Sequence, residues 1–507
     1  MRRAVVFSLL FLLSVTVVTV AFAGAGTETR GALAPVTLRF YFPGPTPDDA
    51  EMVWANIEKL TKGTLNAKFD VKWFPWSEYG DKVKLMAASG DNYDMHFDGY
   101  WLDYPALLAQ GSLLPLNDLF DKYAPKLKAD LTKVGALVTP TVNGKIWGVP
   151  WTKPQINHAA AVIREDLRKK YNVPAKFDTI EDVENFIDTV RKGEPQMLAV
   201  SNVYGKGWAS QVSAPPMYAM TTKYELSVNM AFEWYYTYNL NDLKNIKVVP
   251  LERTQAFRDA MKISRRWAEK GYIPKDAMSV PMDGRRFEDG NVIANIDNID
   301  VGLGDYTFES SGFFLYKDKK ADAVSSMGNA VVFNAKAANP ERTMMFLEWL
   351  NASQANYDAL MYGIEGKTYV LTDFQGRKMA DVLPGTDPAK SYIMWNGRWG
   401  LWRYAYMRGG PADGGKRMMT QGLPAELALP GNVFSPLLSF NFDTTPVKTE
   451  LAKRVAVWDD YGRQLEFGMI ADADKGVDQM IKLCTDAGAD IVLKELQKQV
   501  DAFMARK

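Results

Sequence analysis

Residues 36–42, Val-Thr-Leu-Arg-Phe-Tyr-Phe, form a β-branched and aromatic run stopped by Pro43-Gly44-Pro45, which predicts a strand. Over 48–60 the apolar positions fall at Met52, Val53, Ile57 and Leu60, the spacing of an amphipathic helix. A second strand is expected over 67–73, a helix over 76–88 ending near Gly90, and a third strand over 93–97. Strand and helix alternate, so the fold class is α/β, with a parallel sheet covered by helices. In such sheets ligands sit beyond the carboxyl ends of the strands. That places candidate binding loops at 42–45, 74–79 and 98–104, all rich in aromatics.

The stretch from Val142 to Pro154 breaks this rhythm. Asn143-Gly144 predicts a tight turn, because both residues tolerate positive φ. Ile146 and Val149 then give a short extended run that ends at Pro150, which has no amide to donate. The run is therefore expected at a sheet edge or as a crossing segment. It is read as leaving one lobe and entering another, with Trp151 facing the space between them; a hairpin whose tryptophans fill a core is the alternative.

Further along, strands are expected at 159–163, 198–200, 292–296 and 328–333, with 246–249 as a weaker candidate. Thr179 and Asn339 stand where helix N-caps belong, the first with Asp182 three residues on. Phe257, Met261, Ile263 and Trp267 pattern a helix over 254–270, and 487–505 is a terminal helix. The stretch after residue 296 is taken as the second passage between lobes.

At 507 residues the chain exceeds one ordinary domain. Lys plus Arg and Asp plus Glu are both 60, a balance that argues against nucleic acid as a partner. The amino terminus reads as a secretory signal over 1–23: Arg2 and Arg3, an uncharged apolar run over 4–20, then Ala21-Phe22-Ala23. A membrane anchor is the alternative, with the run at the short limit of a span. Residues 24–35 are read as a flexible leader. Cys484 is the single cysteine, so no disulfide forms within the chain and no lipid-bearing cysteine follows the signal. The mature protein is expected to be periplasmic or extracellular, soluble, not a lipoprotein and monomeric, with Cys484 buried on a helix.

Catalytic motifs are absent. Two histidines, His96 and His158, give no HExxH, and no Cys/His metal cluster is possible, so no metal and no cofactor are expected. No GxSxG elbow or phosphate loop occurs. Asp98, Asp103, Asp297 and Asp300 fall at expected strand ends, where an acidic pair would serve a glycosidase and single carboxylates would accept hydrogen bonds from sugar hydroxyls. Aromatics are the positive signal, at 12% of residues with 14 tryptophans. Ring faces pack on the C–H face of a sugar while polar neighbours take its hydroxyls. The ligand-binding candidates are Trp76, Tyr79, Asp98, Tyr100, Trp101, Trp151, Trp208, Asp297, Trp395 and Trp399.

Three segments resemble a known family. Residues 87–95, 111–119 and 142–150 carry a helix ending in Ser-Gly, Gly-Ser-Leu-Leu-Pro-Leu-Asn-Asp-Leu, and Asn-Gly-Lys-Ile-Trp-Gly-Val-Pro; Ser326 to Leu350 ends Asn-Pro-Glu-Arg-Thr-Met-Met-Phe-Leu-Glu-Trp-Leu. This pattern resembles the family 1 extracellular solute-binding proteins of bacterial ABC importers. Residues 440–450, Phe-Asn-Phe-Asp-Thr-Thr-Pro-Val-Lys-Thr-Glu, resemble the C-terminal DUF3502 domain of a subgroup. The missing lipoprotein cysteine departs from that subgroup. The resemblance implies a two-lobed, periplasmic-binding-protein-like (type II) fold that closes by hinge bending on a carbohydrate and delivers it to an ABC permease. The lobes are expected at 36–150 with 300–350, and at 155–296 with 351–507. A secreted glycoside-active enzyme and a receptor for a peptide-like solute are the alternatives.

Overall fold

The structure, a computed structural model, describes residues 33–153, 156–201, 215–227, 235–279, 285–299, 306–323, 326–374, 376–387, 390–393, 400–408, 421–437 and 440–506. The expected signal segment lies outside them. Strand β1 (Val36–Pro43) leads to helix α1 (Ala50–Thr61), β2 (Ala67–Phe74), α2 (Trp76–Ser89), β3 (Met95–Asp98) and α3 (Tyr104–Ala109). α2 stops where Gly90 takes a left-handed φ of 80°, which a glycine adopts without strain. Leu38, Phe40 and Phe42 of β1 and Val53 and Ile57 of α1 are buried together, so alternate strand positions meet one helical stripe.

Asn143 and Gly144 have φ of 52° and 76° and join Thr141–Val142 to Lys145–Ile146 as an antiparallel hairpin. Strand β4 (Val149–Pro150) follows, and the chain crosses to β5 (Ala159–Arg164). Helix α4 (Ile180–Gly193) opens on the expected cap, with Thr179 and Asp182 bonding reciprocally. Then come β6 (Leu198–Val200), α5 (Gln255–Glu269), β7 (Val292–Asn298) and β8 (Ser310–Phe314). The weak strand expected at 246–249 is reduced to Val249–Pro250. Strand β9 (Ala330–Phe333) precedes α6 (Pro340–Leu350). Asn339 stands at the N-cap of α6 but does not cap it; its side chain donates to the Thr37 carbonyl instead.

Two principal sheets result. The first has five strands in the order β2-β1-β3-β9-β4. β1 runs parallel to β2 and β3, while β9 runs antiparallel to β3 and β4. β4 is an edge strand, as its proline requires. The second has four strands in the order β8-β5-β7-β6, with β5 antiparallel to both neighbours and β7 parallel to β6. Each sheet has its own large hydrophobic core.

Two placements bear on where the halves divide. β7 does not lead back to the first sheet, because the next described strand, β8, pairs with β5 in the second. The return comes at 322–330, where Ala323 bridges Ile156 and the two crossings run side by side. Of the described residues between 351 and 401, Tyr357, Leu360, Tyr362, Tyr369, Ala380, Tyr392 and Leu401 lie in the first core. Helical periodicity shows which positions are buried but not which of two cores receives them.

The chain closes with α7 (Lys448–Val457), α8 (Ala473–Asp486) and α9 (Ala489–Met504). Their residues Val477, Met480, Val492, Leu496 and Val500 join α5 in the second core, and Cys484 is buried and free on α8 as expected. Arg454 of α7 is fully buried and ion-paired with Glu252 at 2.8 Å. Among the described residues no helix is long and apolar enough to cross a membrane.

Candidate functional site

β1 and β3 are the point at which strand order in the first sheet reverses, and the loops beyond their carboxyl ends diverge there. β4 runs parallel to these strands through β9, so Trp151 emerges at the same edge, and residues 327–329 enter it just before β9. The aromatic loops expected from sequence therefore meet at one end of one sheet.

Trp76 starts α2 and Trp101 follows β3. Their ring centroids lie 5.8 Å apart at 33°. Phe97 stands edge-on to Trp76 at 6.5 Å and backs Trp101 at 6.2 Å. The Trp101 indole N–H donates to Oδ1 of Asn329 at 3.1 Å, and the Asn329 carbonyl accepts from the Trp151 amide at 2.8 Å. Asn329 thus holds the Trp101 ring and the Trp151 backbone. Lys153 Nζ lies 5.3 Å from the Trp151 ring centroid. The next residue after Trp151, Thr152, bonds Gly400 O through its amide and hydroxyl, each at 3.1 Å.

The loop 99–104 is held tightly. A Cβ at Gly99 would fall 2.2 Å from the Gly328 carbonyl, so only glycine allows this approach. The Tyr100 amide donates to Met327 O at 3.0 Å. Asp98, 1% exposed, accepts from the amides of Gly99, Asp103 and Tyr104 at 2.7, 3.0 and 3.0 Å. Its other oxygen meets His96 Nε2 at 3.2 Å.

The candidates divide accordingly. Trp76, Trp101 and Trp151 come together, and Tyr100 adjoins them. Asp98 shapes the loop from beneath and has its acceptor positions occupied. Tyr79, 2% exposed, donates to the Phe97 and Tyr41 carbonyls at 2.6 and 3.2 Å and belongs to the core; burial lifts its pKa well above the ordinary value. Asp297 lies on β7 in the second sheet, opposite Ala160. Trp208, Trp395 and Trp399 lie outside the described residues, as does Asp300. Asp103 pairs with Lys84 at 3.3 Å, and burial beside Asp98 raises its pKa. Among the described residues no acidic or Cys/His group is arranged to hold a metal ion.

Three contributors were not singled out in the sequence. Asn329 sits in Gly328-Asn329, a turn dipeptide at the start of the strand expected over 328–333. Arg286, from the segment before β7, reaches across to the first sheet, its guanidinium carbon 6.0 Å from the Trp76 ring centroid and its charge paired with Glu288. Asn441 accepts a hydrogen bond from the Tyr100 hydroxyl. Both arrive from the far core, and no local pattern could announce them.

Comparison with known proteins finds similar chains and folds. Residues 436–505 match the domain of unknown function DUF3502. A curated relative from Streptococcus pneumoniae serotype 4, described as a carbohydrate ABC transporter substrate-binding protein, is 24% identical over 489 residues, covering 93% of this chain and 91% of its own. Among solved structures, the N-glycan transport solute binding protein of Streptococcus pneumoniae, in complex with Man1GlcNAc, aligns with a TM-score of 0.75 at 21% identity over 93% of this chain and 100% of that one. The S. pneumoniae substrate binding protein FusA, an EF-hand mutant in complex with fructo-nystose, aligns with a TM-score of 0.62 at 20% identity, covering 93% and 100%. The fold is that of the two-lobed solute-binding proteins, and the resemblance read from the sequence holds at both the main body and the tail.

Proposed function

We propose that this chain is an exported receptor that captures a saccharide between its two sheet-bearing halves and hands it, unchanged, to an ABC import permease. The observation that carries the reading is the Trp76–Trp101 pair at the carboxyl edge of the first sheet, with Asn329 joining it to Trp151. Such a site offers apolar ring faces with a few fixed polar groups, the makeup of small-ligand pockets. The relative's description as a carbohydrate substrate-binding protein, and the oligosaccharides bound by the two solved neighbours, support the same ligand class. Tyr100, Asp297, Trp208, Trp395 and Trp399 are the further residues proposed as ligand-binding from the sequence.

The halves are proposed to divide at the paired crossings, 150–159 and 322–330. Hinge motion there needs backbone changes at only a few residues. Calorimetry against mannose–GlcNAc and fructo-oligosaccharides tests the ligand class. Binding by the parent chain and a loss of about thirtyfold in Trp101→Ala are expected, the scale of an aromatic anchor worth about 2 kcal/mol. Silence across the panel, with peptides bound instead, overturns it. Chromogenic glycosides are expected to stay intact; release that disappears in Asp103→Asn would point to an enzyme. The secreted chain is expected to begin at Gly24, which sequencing of its amino terminus checks.

A further inference from the structure

The DUF3502 match assigns its region no role, yet one side chain of that region holds the aromatic loop. Asn441 lies between Phe440 and Phe442. Phe440 is buried in the second core, its ring edge-on to Phe503 at 5.5 Å, and Phe442 packs against the same core. Asn441 itself contacts loops of the first core at two points. Its Oδ1 accepts from the Tyr100 hydroxyl, and its Nδ2 donates to the Thr139 carbonyl at 3.2 Å. One amide therefore uses both ends on two separate loops, while its chain neighbours are anchored across the molecule.

Tyr100 is bonded to Trp101, and its amide is fixed by Met327 O. Asp98 holds the loop from its own strand, residues 327–329 hold it from β9, and Asn441 holds it from the tail. The first two supports belong to the sheet that carries the loop. Only Asn441 belongs to the other core, so it alone of the three changes its pull when the two cores shift.

We propose that Asn441 is a positioning residue: a clasp through which the DUF3502 region sets the pose of the loop bearing Trp101, and with it the affinity for ligand. The affinity part rests on Trp101 being a ligand platform; the clasp does not. A side-chain amide can fill this place because it presents an acceptor and a donor from one plane. Aspartate keeps the acceptor but turns an oxygen toward the Thr139 carbonyl.

The test is amide hydrogen exchange over residues 99–104 in the ligand-free protein, paired with saccharide affinity. Asn441→Ala is expected to speed exchange there and to weaken binding about tenfold, with Asn441→Asp weakening it less. Tyr100→Phe cuts the same hydrogen bond from the other side and serves if Asn441→Ala fails to fold. Adding Tyr100→Phe to Asn441→Ala is expected to cost little more than Asn441→Ala alone, since the bond between the two side chains is already gone. Unchanged exchange, or faster exchange with affinity unmoved, overturns the proposal. If the parent chain binds no saccharide, exchange alone decides the clasp, and it is the ligand assignment that falls.

Discussion

Two buried titratable residues pull stability in opposite directions with pH. His158 is fully buried at the crossing into β5, and its Nε2 lies 2.8 Å from the Leu315 carbonyl, so Nε2 carries the proton and donates. Burial depresses its pKa from 6.5 to about 4, despite the pull of that carbonyl. The unfolded chain therefore binds a proton at higher pH than the folded one. Stability from this residue is whole above about pH 6.5 and is lost as pH falls toward about 4, by up to about 3 kcal/mol. Denaturant midpoints at pH 7 and 4.5 check this, and His158→Gln, which keeps a donor, should flatten the difference. Glu466 has the opposite sign. Its carboxyl is buried, and desolvation holds its pKa well above 4.5. Its contribution is intact below the unfolded value and declines as pH rises through the folded one. Glu466→Gln is expected to stabilise at pH 8 and to change little at pH 4; equal effects at both would count against it.

At the scale of elements, α7 is tied to the middle of the chain by charge. Arg454 and Glu252 are both fully buried, their ion pair 2.8 Å long, and the guanidinium lies over the Tyr236 ring at 4.7 Å. Arg454→Met leaves an isolated buried carboxylate and is expected to cost about 3–5 kcal/mol in chemical denaturation, with Glu252→Gln added to it recovering part. A loss below 1 kcal/mol would mean that Glu252 finds water or another donor. How much of this was readable beforehand depends on the range of each interaction. β1, β2, α2, β6 and α5 lie within a residue or two of expectation, and α4 starts at its expected cap, because strand runs, the Thr179–Asp182 cap and the Phe257–Trp267 stripe are local signals. Trp76, Trp101 and Trp151 were legible as a group because a strand–helix alternation fixes which loops share an end. Tyr79 and Asp98 are buried beneath the loops, and sequence proximity to a site does not separate a lining residue from one that supports it from within. Asn329, Arg286 and Asn441 act through partners 178 to 341 residues away, and β8 joins a sheet by pairing about 150 residues distant; neither range leaves a periodic trace.

For the whole molecule, the tail is structure and not an appendage. α8 and α9 bury Val477, Met480, Cys484, Val492, Leu496 and Val500 against α5, and Trp458 and Leu465 add to that core. A chain ending at residue 435 is expected to lose the cooperative unfolding of its second half and to be cut rapidly within 159–297 by protease; an unaltered transition would show that α5 and its sheet stand alone. The placement of β9 carries a corresponding consequence for how the protein comes into being. β9 lies between β3 and β4, both laid down some 180 to 230 residues earlier, and β4 has β9 as its neighbour in that sheet. During synthesis from the amino terminus, the first sheet waits with a gap until β9 arrives, and the second core waits for α9, made more than 200 residues after α5. Pairings of such span form slowly. Neither half can set before these distant partners are made, so the polypeptide stays pliable until β9 and α9 have both emerged.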